Sequence, residues 1–122
     1  MTDVTAAELA ARLEEEGLIL LDVRGHAEYT GALGAPCDPR QGHIPGARHV
    51  DVMALYGLAP DRVRSLVGAE PGAEVIAYCH SGQRSALAVE MLRAAGYEAR
   101  NYPGSWHEWS RDPALPAVTL TA

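Results

Sequence analysis

The sequence contains no lysine and no phenylalanine; all ten of its basic residues are arginine. Without lysine there is no P-loop lysine, no Schiff-base lysine and no lysine-built phosphate clamp. Cysteine is scarce. Cys37 and Cys79 stand 42 positions apart, which leaves no CxxC pair, no zinc-finger spacing and no disulfide framework. That usage suits a reduced, intracellular protein, and a cytoplasmic location is expected. No uncharged apolar stretch approaches the ~18 residues of a membrane span. The opening Met1-Thr2-Asp3-Val4-Thr5 leads into acidic, helical sequence instead of the basic and then apolar run of a signal peptide. The formal net charge is −6 with no basic block, so neither nucleic acid nor an anionic membrane is an expected partner.

Against these absences stand 48% hydrophobic residues in a chain of 122, the length of one ordinary domain. At that size roughly 65% of the unfolded surface can be buried. Twelve glycines and eight prolines are too few for a low-complexity chain. A single folded domain over residues 1–122 is expected.

Thr5 followed by Glu8 reads as a capping box, and Leu9 and Leu13 recur at helical spacing up to the stop at Gly17. Leu18 to Leu21 is a continuous apolar run that ends in Asp22-Val23-Arg24, the pattern of a strand covered on both faces. Residues 30–46 are rich in glycine and proline and predict a long loop that lies over a site. Arg48-His49-Val50 suits a short strand. Pro60 to Val67 suits a helix with proline in its first turn and Gly68 after its end. Glu74 to Tyr78 predicts a second buried strand, followed by a loop from Cys79 to Arg84 and a helix from Ser85 to Ala95 closed by Gly96. Glu98 to Tyr102 predicts a last strand before Pro103-Gly104 and a short segment from Ser105 to Trp109. Strands alternating with helices imply an α/β fold with a central, mostly parallel sheet and helices on both faces.

Ligands of an open parallel sheet bind beyond the carboxyl ends of its strands. Here those positions hold Asp22 and Arg24 after one strand, and Cys79 with its loop after the other. A cysteine between a strand end and a helix start feels the helix's positive end and its unpaired N–H groups, both of which favour the thiolate. Cysteine is often a small buried hydrophobe. The polar neighbours Ser81, Gly82, Gln83, Arg84 and Ser85 argue instead for a nucleophile in an anion-binding nest.

Four blocks carry a family resemblance: Leu20-Leu21-Asp22-Val23-Arg24 with Glu28-Tyr29; Gly42-His43-Ile44-Pro45-Gly46-Ala47; Tyr78-Cys79-His80-Ser81-Gly82-Gln83-Arg84-Ser85; and Gly104-Ser105-Trp106-His107-Glu108-Trp109. In this order, over nearly the whole chain, they resemble the rhodanese (thiosulfate sulfurtransferase) superfamily. The last block and the insert before Gly42 are similar to the catalytic half of two-domain sulfurtransferases. The resemblance implies a three-layer rhodanese-like fold and a double displacement with no external cofactor. Cys79 takes the outer sulfur of thiosulfate, sulfite leaves, and the persulfide passes its sulfur to cyanide or to a thiol of a small molecule or acceptor protein. It implies Cys79 as carrier, with the backbone of His80, Ser81, Gly82, Gln83 and Arg84 cradling the anion. Arg84 pairs either with substrate or with a buried carboxylate such as Asp22 or Glu28.

Two other functions stand beside this one. A non-turnover carrier would accept sulfur from a partner and pass it on by docking. A cysteine-dependent phosphatase or arsenate reductase uses a roomier loop, whereas only four residues separate Cys79 from Arg84 here. Supporting roles are expected for Asp22, Arg24 and Ser85, with Arg24 paired to Glu28 and Asp22 accepting loop N–H bonds. The five histidines match no compact ligand spacing, so no metal is expected. His43 is read as a backbone-bonding turn residue. His80 either tunes substrate preference or is merely exposed. Cys37 is either a resolving thiol or incidental. Trp106 and Trp109 are expected to pack the domain edge.

Overall fold

A computed structural model describes residues 2–119. The Thr5 hydroxyl accepts the Glu8 amide at 3.1 Å and caps α1 (Ala6–Arg12). The apolar run becomes β1 (Ile19–Asp22), with all four residues buried. It pairs in parallel with β3 (Arg48–His49) on one side and β4 (Glu74–Tyr78) on the other, and β5 (Glu98–Asn101) lies beyond β4, also parallel. The continuous apolar strands are explained by burial on both faces.

Side-chain alternation across this sheet makes two cores. Leu21, Val75, Ala77 and Cys79 face α3 (Val52–Leu55), α4 (Pro60–Val67) and α5 (Gln83–Ala94). The alternate positions Leu20, Ile76 and Tyr78 face Leu9 of α1 and the indoles of α6 (Ser105–Trp109). The architecture is therefore α/β with a mostly parallel central sheet and helices on both faces. Trp106 and Trp109 are fully buried, and their indole N–H groups donate to Arg40 O at 3.0 Å and Pro116 O at 2.7 Å. Truncating either to alanine would cost about 3–5 kcal/mol.

The elements that differ from the sequence expectation are short ones. The segment read as loop from residue 30 is preceded by α2 (His26–Thr30) and contains β2 (Gly42–His43), which pairs antiparallel with β6 (Val118–Thr119). A Cβ on Gly42 would sit 1.8 Å from Val118 O, so only glycine allows this pairing. The helix after Cys79 starts at Gln83, not Ser85, which puts Gln83 and Arg84 in its first turn. No helix among the described residues is long and apolar enough to cross a membrane.

Strand order places the site. The chain leaves β1 towards β3 but leaves β4 towards β5, on opposite sides. The crevice of such a sheet opens at the carboxyl ends of the two strands where the order reverses. Register holds those ends level, with Asp22 opposite Tyr78, so Asp22, Arg24 and Cys79 all lie at that end.

Candidate active site

Cys79 leaves β4 on the face of α5, and the chain then turns sharply enough for the helix to begin over the sulfur. Gly82, the residue before α5, makes that turn with φ +96. A Cβ there would lie 2.8 Å from Pro103 O, so both the dihedral and the space demand glycine. The tightness brings the Gly82 amide to 3.1 Å from Cys79 Sγ and the Ser85 hydroxyl to 3.3 Å. The thiol is almost fully covered, at 1% exposure, and its immediate donors are an amide and a hydroxyl. Burial of the sulfur raises its pKa. The Ser85 hydroxyl and the amides of Ser85, Gly82 and Ser81 oppose that and prevail, leaving the thiol more acidic than an ordinary cysteine.

The arrangement is held from the opposite side by Ser105. Its hydroxyl donates to Tyr102 O at 2.9 Å and accepts the Cys79 amide at 3.1 Å, and its oxygen lies 4.0 Å from the sulfur. Ser105 has φ +55, an uncommon conformation for a side-chain-bearing residue that these bonds retain. Trp106 N and His107 N donate to the carbonyls of Cys79 and His80, both at 2.9 Å, and Asn101 Nδ2 donates to Gly82 O at 3.2 Å. Sequence reasoning missed Ser105 and Asn101 as site residues. The signal for Ser105 was present in the Gly104-Ser105-Trp106 block. Asn101 carried none, being one polar residue at a strand end.

The charged residues distribute differently from the sequence expectation. Arg24 does not pair with Glu28. Its guanidinium lies on Asp22, with Nε 3.0 Å from Oδ1 and Nη2 2.6 Å from Oδ2, and also donates to Gly42 O. The period of an extended chain explains this, because Asp22 and Arg24 project to the same face. Both are buried, and Asp22 also accepts from the Arg24 amide at 3.0 Å and the Tyr78 hydroxyl at 2.8 Å. Glu28 is taken by Arg84, whose two Nη atoms lie 2.9 and 3.2 Å from the carboxylate oxygens. Glu28 is one of the two carboxylates the sequence offered to Arg84.

The remaining loop residues divide by exposure. Ser81 and Gln83 are exposed, and the Ser81 hydroxyl bonds to the Gln83 amide oxygen. The His80 ring turns to Asp38, with Nε2 2.9 Å from Oδ2. His43 Nδ1 lies 2.8 Å from Tyr29 O, and its ring stacks on Tyr29. Chemically, the site offers an acidified thiol at the end of a buried strand, ringed by amide and hydroxyl donors that suit an anion or a departing negative charge.

The rhodanese-like domain family matches residues 5–112. A Pseudomonas aeruginosa protein named "Probable 3-mercaptopyruvate sulfurtransferase" is 38% identical over 95% of this chain and 44% of its own length. The "Thiosulfate sulfurtransferase" of the same organism is 31% identical over 92% of this chain and 44% of its own. The crystal structure of a "Probable Thiosulfate Sulfurtransferase" superimposes with a TM-score of 0.81 at 43% identity, covering 94% of this chain and 46% of that one. The chain thus spans under half the length of these relatives. With the family matched over residues 5–112, this chain belongs to the rhodanese-like domain family.

Proposed function

We propose that the protein is a sulfurtransferase that moves a sulfane sulfur from thiosulfate, or a similar small anionic donor, to cyanide or a thiol through a persulfide on Cys79. The observation that carries this reading is the Cys79 sulfur with the Gly82 amide at 3.1 Å and the Ser85 hydroxyl at 3.3 Å. In the first step the Cys79 thiolate attacks the outer sulfur of thiosulfate. A new S–S bond forms, the donor's S–S bond breaks, and sulfite leaves with the electron pair. In the second step the acceptor attacks the terminal persulfide sulfur, and Cys79 departs as thiolate. The same amides that acidify the thiol stabilise it as leaving group, so one cradle serves both halves of the cycle. The donor class is supported by relatives named for thiosulfate and for 3-mercaptopyruvate. The reaction needs no external cofactor, and its thiol chemistry suits the cytoplasm.

One observation favours a second reading, a carrier that docks with a donor protein. The Arg84 guanidinium is committed to Glu28, so the cation nearest the nucleophile in sequence is engaged before any substrate arrives. Incubation with thiosulfate followed by intact-mass measurement tests the first reading. A gain of one sulfur that disappears in Cys79→Ser is expected, together with catalytic thiocyanate formation from cyanide. Persulfide formation without turnover would favour the carrier, and no adduct together with aryl phosphate hydrolysis would favour a phosphatase.

A further inference from the structure

The fold gathers four metal-ligating side chains that the linear order scatters. Cys37 and Asp38 come from the segment between α2 and β2, His80 follows the nucleophile, and His107 lies on α6. One ligand atom from each lies within 4.8 Å of all the others. Asp38 is the centre of the group, with a side chain 1% exposed. Its Oδ1 accepts from Arg111 Nη1 at 2.8 Å, with His107 Nδ1 at 3.6 Å and Cys37 Sγ at 3.9 Å.

The other carboxylate oxygen is the telling one. Asp38 Oδ2 lies 2.9 Å from His80 Nε2, yet both are buried atoms without a hydrogen-bond partner. The distance suits a bond and the alignment does not. Unpaired buried polar atoms are costly. Two ligand atoms brought side by side without aligning on each other are the disposition expected of two ligands directed at a third atom.

We propose that Cys37, Asp38, His80 and His107 bind a divalent transition-metal ion of the zinc type. One thiolate, two imidazoles and one carboxylate are a tetrahedral zinc donor set, whereas magnesium and calcium require oxygen ligands throughout. Bonds of about 2.0–2.3 Å put tetrahedral donors roughly 3.3–3.8 Å apart. The widest separation here must close by about an ångström on binding, and the exposed Cys37 and His107 can supply that by side-chain rotation. Arg111 holds Oδ1 and leaves Oδ2 for the ion, an outer-shell role that also moderates affinity through its positive charge. On binding, the Cys37 thiol proton passes to solvent and the sulfur enters as thiolate. The ion ties the segment before β2 to the loop after Cys79 and to α6, which places it at the rim of the sulfur site.

The test is made in the 122-residue chain carrying Cys79→Ser, so that the Cys79 thiol cannot bind the ion and the result is independent of the sulfur-transfer reading. Titration with Co²⁺ is expected to give one-to-one binding, with a thiolate-to-cobalt charge-transfer band and the intense visible bands of tetrahedral coordination, both displaced by Zn²⁺. Adding Cys37→Ser should remove the charge-transfer band. Adding His107→Ala should weaken binding at least about tenfold, with circular dichroism confirming that both variants fold. No cobalt spectrum in excess ion would overturn the proposal and leave an Asp38–His80 ion pair in its place. A spectrum unaltered by both substitutions would also overturn it, since the ion would then lie elsewhere.

Discussion

The Ser85 hydroxyl lies 3.3 Å from the Cys79 sulfur, six residues away in the chain, because the first turn of α5 begins directly above the end of β4. It is the side-chain donor that acts most strongly to acidify the thiol against the opposing effect of burial. Both groups sit in a dehydrated site, where a hydrogen bond to a charged atom contributes more than it would in water.

Ser85→Ala removes a donor that favours the thiolate, so the thiol pKa rises and less thiolate is present near neutral pH. Iodoacetamide alkylation of Cys79, followed with chelator present, is expected to slow several-fold at pH 7. The rate should converge with wild type at high pH, where both thiols are ionised. Equal rates across the whole profile would show that the hydroxyl does not act on the sulfur.

Gly82→Ala forces a side chain into a left-handed backbone and against Pro103 O, 2.8 Å from the new Cβ. The expected loss is about 1–3 kcal/mol in denaturant unfolding. Persulfide formation should fall with it, because the Gly82 amide cannot stay on the sulfur if the loop shifts. A fully stable variant with normal sulfur uptake would contradict the described turn.

Asp22 and Arg24 form a buried pair, with side chains 0% and 1% exposed. Asp22→Ala leaves the guanidinium uncompensated beside Tyr78 and Trp106 and should destabilise the fold by about 3–5 kcal/mol. Replacing both residues, as Asp22→Ala with Arg24→Met, should cost clearly less than the sum of the single changes. A double-mutant cycle measured by urea unfolding reads that coupling, and additive losses would argue against the pair.

Glu28 is desolvated, which raises its pKa, but the Arg84 hydrogen bonds and the Gly25 amide outweigh this and hold the carboxyl below the usual range. A carboxyl with a lowered folded pKa stabilises the fold above its unfolded value, and that stabilisation disappears as pH falls through the folded pKa. The stability gap between wild type and Glu28→Gln should therefore be present at neutral pH and close below about pH 4. The pair is partly exposed, so the gap is expected to stay within about 1 kcal/mol. A gap that widens in acid would have the wrong sign.

The fold and the nucleophile were legible in the sequence for different physical reasons. Ile19 to Asp22 and Glu74 to Tyr78 are apolar enough to demand cover on both faces, and Thr5, Pro60 and Gly68 mark helix ends through local chemistry. Cys79 stood out because its polar neighbours contradict the strand before it. The helices of four and five residues at Val52 and His26, and the pairing of Gly42 with Thr119, fall below the reach of any periodicity. They exist through contacts between distant segments.

Partner choice was the part that residue types alone could not determine. Arginines and carboxylates were plain in the sequence, but whether Glu28 faced Arg24 or Arg84 depended on strand alternation and on where α5 begins. The gathering of Cys37, Asp38, His80 and His107 depended on it too. Local propensity acts over a few residues and so sets elements and their punctuation. Charge pairing and ligand clustering are set by distances in space, which exist only once the two cores have packed on either side of the sheet.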